Sequence, residues 1–347
     1  MQATTHSEPI EQTTSRSQAS AQTMRAIVQR AYGSTETLEL TETRRPSVAA
    51  DQVLIEVHAA GVDRGVWHLM TGMPYVVRLM GYGLTRPSQQ TPGMDVAGRV
   101  VAVGSSVERF AVGDEVFGIA RGAYAEYAVA EADKLARKPA SVSFEQAAVA
   151  SISGITALQA LTEVAQVAPG QEVLVIGASG GVGSYAVQIA RALGGRVTGV
   201  ASAAKAELVR SLGADTTIDY RAGDYLDGSR RYDLIIDIGG RNSLRRLRRA
   251  LTRTGTLVIV GGEGGDRLTG GVWRQMVAPL MSRFVSQRLA TFVSTEHYRY
   301  IEALAGFIER GEVTPAVGRT YRLDEVAAAI DDLTSGQAQG KSAIVVR

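Results

Sequence analysis

The chain of 347 residues contains no cysteine, which excludes a disulfide framework, a cysteine nucleophile and any metal site with thiolate ligands. No stretch approaches the roughly 18 consecutive apolar residues that a membrane-spanning helix requires. The 37 basic residues exceed the 35 acidic ones by only two, so charge gives no reason to expect nucleic acid or an anionic membrane as the partner. We expect a cytoplasmic protein that acts on a small-molecule substrate.

The first 23 residues are rich in Thr, Ser, Gln and Ala and contain no apolar block. A secretory signal requires such a block, and a transit peptide would lack the acidic Glu8 and Glu11 that accompany Arg16. We therefore predict that residues 1–23 form a disordered tail.

Short strands separated by glycine and proline turns are predicted from Met24 to about Ala130. Apolar residues alternate in the segment Gln52–Ala59, which places them on one face of a strand. The predicted strands are Met24–Arg30, Gln52–Ala59, Val96–Val103, Asp114–Phe117 and Tyr124–Val129. This spacing, with little helical signal, favours a compact antiparallel barrel or sandwich.

A different pattern follows in the second half of the chain. Phe144–Gln166 is predicted as a helix with a break near Ser151–Gly154, and apolar strands then alternate with amphipathic helices. The strands are Glu172–Ile176, Arg196–Ala201, Thr216–Asp219, Tyr232–Asp237 and Thr256–Val260, and the helices are Gly181–Leu193, Ala203–Leu212 and Ser243–Leu251. This alternation is typical of an α/β fold with a doubly wound parallel sheet. A helix at Glu296–Arg310 and a strand at Ala343–Val346 complete the prediction.

The most informative segment runs from Val173 to Ser184, where a strand leads into a glycine-rich turn and a helix opens directly after it. Aligned to the pattern G-x-G-x-x-G, the key positions are Ala178, Gly180 and Gly183. The second glycine lets the backbone approach a pyrophosphate, the third lets helix and strand pack closely, and the helix N-terminus offers N–H groups. The alternative is a merely structural turn. The residues predicted to bind a dinucleotide are Ala178, Ser179, Gly180, Gly181, Val182 and Gly183.

The end of the second parallel strand indicates which dinucleotide binds. NAD enzymes place an acidic residue about 20 positions after the glycines to bind the ribose 2′-hydroxyl. Ser202 occupies that place here, no acidic residue occurs between Glu172 and Glu207, and Lys205 follows. A hydroxyl followed by a cation suits a 2′-phosphate. We predict NADPH as the cofactor, bound in part by Ser202 and Lys205; the alternative for Lys205 is an ordinary exposed helix position.

The arginine-rich run Arg241–Arg253 has a simple interpretation. Leu244, Leu247 and Leu251 are spaced by three and four residues, so one face of this helix is buried and the arginines form its solvated face.

Further motifs accompany these features. They are Gly61–Trp67, Pro92–Gly98, Gly113–Gly118, Gly154–Ala157, Leu212–Asp215, Ile218–Tyr220 and Gly340–Lys341. With the glycine turn, they resemble the medium-chain dehydrogenase/reductase superfamily, specifically its zinc-free quinone oxidoreductase and enoyl reductase-like branch. The resemblance implies a GroES-like β-rich catalytic domain over residues 24–150, a Rossmann NADP-binding domain over 151–290 and a C-terminal segment, 291–347, that completes the catalytic domain. It also implies a homodimer.

The zinc ligands of the family indicate which reaction this chain can catalyse. Zinc-dependent members carry a cysteine in the first motif and Gly-His-Glu in the second, where this chain has Asp63 and Gly93–Asp95. We expect no catalytic metal. Without a Lewis acid, alcohol oxidation loses its usual electrostatic help, whereas reduction of a conjugated carbonyl spreads the charge into an enolate or hydroquinone. The resemblance therefore implies NADPH-dependent reduction of quinones or α,β-unsaturated carbonyls by hydride transfer.

The catalytic candidates are Asp63, Trp67 and Tyr75. Family members often carry Asn-x-x-Asp in the first motif, where this chain has Asp63 and Val66. Asp63 either relays a proton or hydrogen-bonds the nicotinamide ribose, or it simply caps the following turn. Trp67 is expected to pack against the substrate or the core, and Tyr75 is a candidate hydroxyl donor at the rim of the cleft.

Further cofactor contacts are implied by the resemblance. Thr156 is expected on the nicotinamide side, and Tyr220 near the adenosine 2′-phosphate with Arg221 as a helper. Ordinary packing is the alternative for Thr156 and Tyr220. The loop of Val260, Gly261 and Gly262 is expected to present backbone groups to the nicotinamide amide.

Two other functions stay open at this point. A trans-acting enoyl reductase would use a carrier-bound thioester, with Arg241–Arg253 as a docking patch for an acidic carrier. A non-catalytic NADPH-binding scaffold would account for the departures from the family pattern at Asp63 and Val66.

Overall fold

The computed structural model describes residues 22–261, 272–336 and 338–347 of the chain. The strands are β1 (Thr23–Gln29), β2 (Leu38–Arg44), β3 (Gln52–Val62), β4 (Asp95–Val103), β5 (Glu115–Ile119), β6 (Tyr127–Glu131), β7 (Leu135–Arg137), β8 (Glu172–Ile176), β9 (Arg196–Ala201), β10 (Thr216–Asp219), β11 (Tyr232–Asp237), β12 (Leu251–Ile259), β13 (Arg288–Thr291), β14 (Val317–Arg322) and β15 (Lys341–Val345). The helices are α1 (Arg64–Thr71), α2 (Phe144–Ala148), α3 (Ser151–Gln159), α4 (Gly181–Ala192), α5 (Ala206–Ser211), α6 (Leu244–Arg249), α7 (Val272–Ser282), α8 (Tyr298–Glu309) and α9 (Val326–Ser335). No helix within these ranges has both the length and the apolar character that crossing a membrane would require.

The β-rich part is built around β3. Its inward side chains, Val53, Ile55, Val57 and Ala59, are fully buried, which confirms the predicted alternation. β3 pairs antiparallel with β4, β6 and β15, and the order of the seven-stranded sheet is β14-β15-β3-β4-β5-β7 with β6 on β3. The sequence pattern predicts a wholly antiparallel sheet. β14 and β15 are parallel to each other, however, so the sheet is mixed. β1 and β2 form a separate two-stranded sheet.

The predicted helix Phe144–Gln166 is in fact two helices, α2 and α3, followed by a π-helical turn at Ala160–Val164. The break lies at Val149 and Ala150, just before the predicted position. Both residues are fully buried, and the hydroxyl of Tyr185 donates to the carbonyl of Val149 at 2.9 Å. Tertiary packing therefore supplies a partner for the interrupted backbone, which a periodicity pattern cannot show.

The second half forms a six-stranded parallel sheet in the order β10-β9-β8-β11-β12-β13. Counted along the chain from β8, this is the order 3-2-1-4-5-6 of a doubly wound dinucleotide-binding sheet. The central strand β8 is buried on both faces, as the unbroken apolar run of Val173, Leu174 and Val175 requires. The predicted α/β fold with a doubly wound parallel sheet is confirmed.

After the parallel sheet the chain returns to the β-rich part. α8 packs against α3, and β15 pairs with β3 and carries β14 at its outer side. The sequence pattern misses α1, β2, β7, α7, β13, β14 and α9, and β2 and β14 in particular expose most of their residues. The domain boundaries at 150/151 and 290/291 stay predictions. Residues 1–21 of the predicted tail lie outside the described residues, and Thr23 already belongs to β1.

A buried ion pair within the β-rich sheet also anchors the helix that leads to the parallel sheet. The ammonium of Lys341 in β15 donates to Asp95 Oδ2 at 2.6 Å, and the backbone N–H of Ile152 in α3 donates to Asp95 Oδ1 at 2.8 Å. Neither side chain of the pair is more than 3% exposed. Both carboxylate oxygens have donors, which a charge removed from water requires. The β-rich sheet and the helix that leads to the parallel sheet therefore meet at one carboxylate.

Breaking this pair is expected to cost far more stability than breaking a partly exposed pair. In the variant Lys341→Met the Asp95 carboxylate stays buried without its partner, and the free energy of unfolding should fall by about 3–5 kcal/mol. The matched variant Lys134→Met removes a partly exposed pair with Glu296, and should cost about 1 kcal/mol or less. Urea titration measures both losses.

The double variant Asp95→Asn/Lys341→Met leaves no buried charge and should recover part of the loss. Equal losses for Lys341→Met and Lys134→Met would contradict the role given to the buried pair.

Candidate active site

The glycine turn lies between the carboxyl end of β8 and the start of α4. Gly177 has a φ of 89°, and its N–H and that of Ala178 both donate to the carbonyl of Val200 at 3.1 Å. The left-handed residue of the turn is thus Gly177, directly before the first aligned position, and Ala178 is fully buried beneath it. A Cβ on Gly183 would collide with the carbonyl oxygen of Gly177, so helix and strand pack as closely as predicted.

The start of α4 is an open cradle. Gly180 is the N-cap residue in an extended conformation and is exposed, Gly181 and Val182 are half-buried, and Ser179 is buried. The first N–H groups of a helix have no partner within it, and the helix dipole adds positive charge at this end. Because these donors surround an exposed glycine backbone, the cradle fits the pyrophosphate of a dinucleotide.

Two residues absent from the predicted site lie against this cradle. A Cβ built on Gly181 would be 3.0 Å from Ser153 Oγ and 3.5 Å from the Cγ and Cδ atoms of Lys341. The stem of Lys341 therefore runs past the glycine turn to its partner Asp95. The only sequence signal for Lys341 is its type and place: it is one of four lysines in the chain and precedes an apolar stretch.

The residues predicted to bind the 2′-phosphate lie together beyond the carboxyl ends of β9 and β10. Ser202 follows β9 and Tyr220 follows β10, and the two strands pair in register up to their last residues. Tyr220 is 48% exposed, and the guanidinium carbon of Arg221 lies 5.4 Å from its ring centroid. The ammonium of Lys205 donates to the carbonyls of Gly336 and Ala338, at 2.8 and 2.6 Å.

The position of Lys205 differs from that of an ordinary exposed helix residue. Burial lowers the pKa of its ammonium, and the charge of Arg221 lowers it further. Lys205 therefore lies within electrostatic range of Arg221, and it also ties the second strand of the parallel sheet to the segment that precedes β15. No single-sequence signal indicates the second role, since Gly336 and Ala338 are distant in the chain.

Some polar groups of the residues predicted on the nicotinamide side already form hydrogen bonds within the protein. The hydroxyl of Thr156 donates to the carbonyl of Ile152 at 2.7 Å. The N–H groups of Val260 and Gly261 donate to the carbonyl of Asp237, at 3.0 and 3.3 Å, so these two residues offer a ligand carbonyl oxygens rather than N–H donors. Gly262 lies outside the described residues.

Asp237, at the end of β11, was not predicted as a site residue. Its carboxylate is fully buried and forms an ion pair with Arg274 of α7, which also donates to the carbonyl of Gly240. Burial raises the pKa of Asp237, and the charge of Arg274 opposes that rise. The pair fixes the ends of β11 and β12 at the cofactor edge of the sheet.

Asp63 is the N-cap residue of α1, and its two carboxylate oxygens have different surroundings. Oδ1 accepts the backbone N–H of Val66 at 3.1 Å, so the capping role is present in the structure. Oδ2 is buried and has no hydrogen-bond partner among the described residues. Oδ1 therefore caps the helix, whereas Oδ2 has no structural partner and could carry a proton.

Burial raises the pKa of Asp63 to about 6, while the charge of Lys341 opposes this rise and that of Asp95 adds to it. A carboxyl group of this kind is populated in both protonation states near neutral pH. Tyr124 lies within range of both carboxylates and donates its hydroxyl to the carbonyl of Gly61 at 3.2 Å. Burial raises the pKa of Tyr124 well above 10, so it stays neutral.

A cavity of about 720 Å³ opens beside the first motif. Its lining includes Val66, Met70, Gly93 and Met94. Val66 stands where family members often carry an aspartate, so the wall of the cavity is apolar at that position. The volume lies within the range of small-molecule pockets.

None of the three catalytic candidates, Asp63, Trp67 and Tyr75, is among the residues that line this cavity. Trp67 is half-buried, packs against the apolar core of the β-rich part, and meets the ring of His68 edge-on at 4.9 Å between centroids. This corresponds to the core-packing alternative. Tyr75 is 42% exposed, and the guanidinium of Arg78 lies 4.8 Å from its ring centroid.

The donor set at the positions of the family's zinc ligands does not suit a metal. Asp95 is bound by Lys341 and Ile152. His58 stacks on Phe144, with ring centroids 4.1 Å apart, and so lies in packing contact. Within the described ranges no three His, Cys, Asp or Glu side chains are grouped so that they could hold a metal ion.

Comparison with known proteins adds to this geometry. Residues 49–140 match the family model of the alcohol dehydrogenase GroES-like domain, and residues 212–345 match that of zinc-binding dehydrogenases. The chain is 33% identical over 334 residues to the quinone oxidoreductase of Homo sapiens, covering 93% of this chain and 98% of that protein.

Solved structures agree with these matches. The quinone oxidoreductase of Coxiella burnetii superposes with a TM-score of 0.83 at 28% identity, over 94% of this chain and all of that one. Mycobacterial Rv1454c, solved in complex with NADPH, superposes with a TM-score of 0.78 at 27% identity, over 93% of this chain and all of that one. The chain therefore belongs to the medium-chain dehydrogenase/reductase superfamily, in its quinone oxidoreductase-like branch, and is an oxidoreductase with a GroES-like and a Rossmann domain.

Proposed function

We propose that this protein is a zinc-independent, NADPH-dependent reductase of quinones or α,β-unsaturated carbonyls. The observation that carries the proposal is the buried carboxyl group of Asp63, which has one capped oxygen and one unpartnered oxygen. It lies on the same motif as Val66, which lines the cavity, and near a turn whose shape suits a dinucleotide. The relatives named quinone oxidoreductase and the NADPH-bound mycobacterial structure support it.

The residues present fit NADPH along one edge of the parallel sheet. The cradle at Ser179–Gly183 would hold the pyrophosphate, and Ser202, Lys205 and Tyr220 would surround the 2′-phosphate. Thr156 and the carbonyls of Val260 and Gly261 would face the nicotinamide side. When bound, the cofactor supplies a hydride, and the remaining tasks fall to the protein.

Those tasks are to exclude water and to deliver a proton. Val66 and Met94 give the cavity an apolar wall next to the first motif, which would help to exclude water there. Asp63 holds the proton on Oδ2, because Oδ1 already accepts the N–H of Val66. After hydride addition the charge on a conjugated carbonyl is delocalised, so one proton donor suffices without a Lewis acid.

A direct assay tests the function. We expect NADPH oxidation with one quinone and one simple enone, with unchanged rates in the presence of a metal chelator and at least a tenfold preference over NADH. Binding of NADPH without turnover would favour the non-catalytic scaffold. Activity only on a carrier-bound thioester would favour the trans-acting enoyl reductase.

The variant Ser202→Asp tests the cofactor choice within that assay. A carboxylate at this place repels a 2′-phosphate, so the KM for NADPH should rise at least tenfold while that for NADH stays the same or falls. Ser211→Asp adds the same charge at an exposed position on α5 and serves as the control. An equal effect of both variants would argue against a 2′-phosphate site at Ser202.

The variant Asp63→Asn tests the proton donor, because an asparagine keeps the cap to Val66 but cannot titrate. The wild-type rate of reduction should fall as the pH rises through about 6, whereas the variant should be slower by about a hundredfold and independent of pH in that range. Steady-state rates between pH 5 and 8 measure this. The exposed Asp51→Asn is the control and should keep the wild-type profile.

An independent readout comes from stability. A carboxyl group whose pKa is raised on folding binds protons more tightly in the folded state, so stability is lost as the pH rises from about 4 to about 6. The wild type should therefore lose up to about 3 kcal/mol across this window relative to Asp63→Asn. A wild-type profile for Asp63→Asn in both measurements would rule out Asp63 as the titrating group.

The homodimer implied by the family has a candidate surface in this chain. β13 lies at the edge of the parallel sheet within the described residues, and α7 packs over it. The outward apolar side chains are 58% to 90% exposed, and they are Trp273, Met276, Leu280, Phe284 and Val293. An apolar patch beside an edge strand is characteristic of an interface, and we propose a second copy of this chain as its occupant.

The variant Met276→Glu should weaken this dimer at least tenfold by placing a charge in the apolar patch. Sedimentation equilibrium at micromolar concentration measures the change. Leu84→Glu, at a residue 65% exposed in the β-rich part, is the control. A monomeric wild type, or equal weakening by both variants, would contradict the proposed interface.

A further inference from the structure

A second cavity, of about 680 Å³, opens where five arginine side chains converge. The arginines are Arg231, Arg245, Arg248, Arg249 and Arg253, and Ser286 and Gln287 complete the lining. No carboxylate belongs to the lining within the described residues. The cavity is therefore strongly positive, although the whole chain has a formal charge of only +2.

This cavity is separate from the cofactor cradle. Arg231 directly precedes β11, Arg253 lies near the start of β12 and Gln287 directly precedes β13, so the cavity lies at the amino ends of these strands. The cradle follows the carboxyl end of β8 in the same parallel sheet. Strands of five or six residues place the two edges roughly 17–20 Å apart.

Two of the guanidinium groups are held in place by neutral acceptors. Arg231 donates to the carbonyls of Arg249 and Leu251, both at 3.1 Å. Arg248 donates from Nε to the side-chain oxygen of Gln287 at 3.0 Å, and the amide of Gln287 donates back to the carbonyl of Arg248 at 2.9 Å. These bonds orient the side chains but leave their charges uncompensated.

Two neighbouring arginines, by contrast, form ion pairs. Arg230 pairs with Glu172 at 3.1 Å, and Arg246 pairs with Asp224 at 2.5 Å. None of the five cavity arginines has an ion-pair partner within 4 Å among the described residues, although this stretch of chain contains carboxylates. The unpaired arginines are thus collected in one concave place.

Two carboxylates lie within electrostatic range of Arg249: Asp224, which pairs with Arg246, and Asp227. The side chain of Asp227 accepts the N–H and the hydroxyl of Ser229, at 2.9 and 2.7 Å. Neither carboxylate lines the cavity, and neither forms an ion pair with one of its five arginines within the described residues, so both weaken its positive charge without cancelling it.

We propose that this cavity binds a small anion that carries two or more phosphate groups. Guanidinium groups bind phosphate oxygens in pairs of parallel hydrogen bonds, and five of them exceed what a single phosphate needs. The volume suits a ligand of nucleotide size. The lining contains no aromatic side chain on which the bases of a nucleic acid strand could stack, so a compact anion fits better than a polymer.

Calorimetric titration with inorganic tripolyphosphate at 150 mM salt tests this site. We expect saturable binding with one anion per chain, and at least tenfold weaker binding in Arg245→Gln/Arg249→Gln. The guanidinium groups of Arg245 and Arg249 make no hydrogen bond within the described part of the chain, so the melting temperature should not change. The control Arg210→Gln/Arg283→Gln removes the same charge outside the cavity and should change binding less than twofold.

Other outcomes would overturn the proposal. Undiminished binding in Arg245→Gln/Arg249→Gln would place the anion elsewhere, for example at the cofactor cradle. Absence of saturable binding, or an equal loss in the control, would reduce the cavity to a solvated surface. Tight binding of single-stranded DNA or an acidic peptide that tripolyphosphate does not displace would assign the cavity to a macromolecule. None of these outcomes depends on reductase activity.

Discussion

The contact between Lys341 and Asp95 constrains the position of nearly every functional element. The stem of Lys341 lies against Gly181 of the glycine turn, and its ammonium holds Asp95 at the start of β4. The other oxygen of Asp95 accepts the N–H of Ile152, which fixes the start of α3. Gly61 has no room for a side chain here, because a Cβ would lie 3.0 Å from Asp95 Oδ2 and 2.5 Å from the carbonyl oxygen of Ala148. A residue of the last strand thus fixes the glycine turn against the β-rich sheet.

The same contact decides the behaviour of Asp63. Two buried carboxylates lie near one ammonium, and the ammonium is hydrogen-bonded to Asp95. Asp63 receives only the longer-range benefit of that charge, together with the backbone N–H at Oδ1, and these are too weak to offset its burial. Its pKa therefore rises. Asp63 can hold a proton because it is buried and because Lys341, the nearby cation, is hydrogen-bonded to Asp95 instead.

How much the sequence could reveal follows from the range of the interactions. Strands β3 and β8 and the glycine turn depend on local spacing, and their positions follow from the pattern of apolar residues and glycines. The break at Val149 depends on the distant Tyr185, and the location of Lys205 depends on carbonyls in the segment before β15. Periodicity carries no information on either. The site residues that the sequence misses, such as Asp95 and Lys341, are polar groups whose partners lie elsewhere in the chain.

The two edges of the parallel sheet attract anions by different means. At the carboxyl edge, the N–H groups and dipole of α4 supply fixed partial charges, so glycines suffice. At the amino edge, α6 ends instead of beginning, and its C-terminal carbonyls carry partial negative charge; Arg248 and Arg249 lie in that last turn. These carbonyl dipoles partly stabilise the unpaired guanidinium groups when no anion is bound. Within the described residues no carboxylate lines the cavity, so an incoming phosphate would compete there mainly with carbonyl dipoles and water for the guanidinium groups.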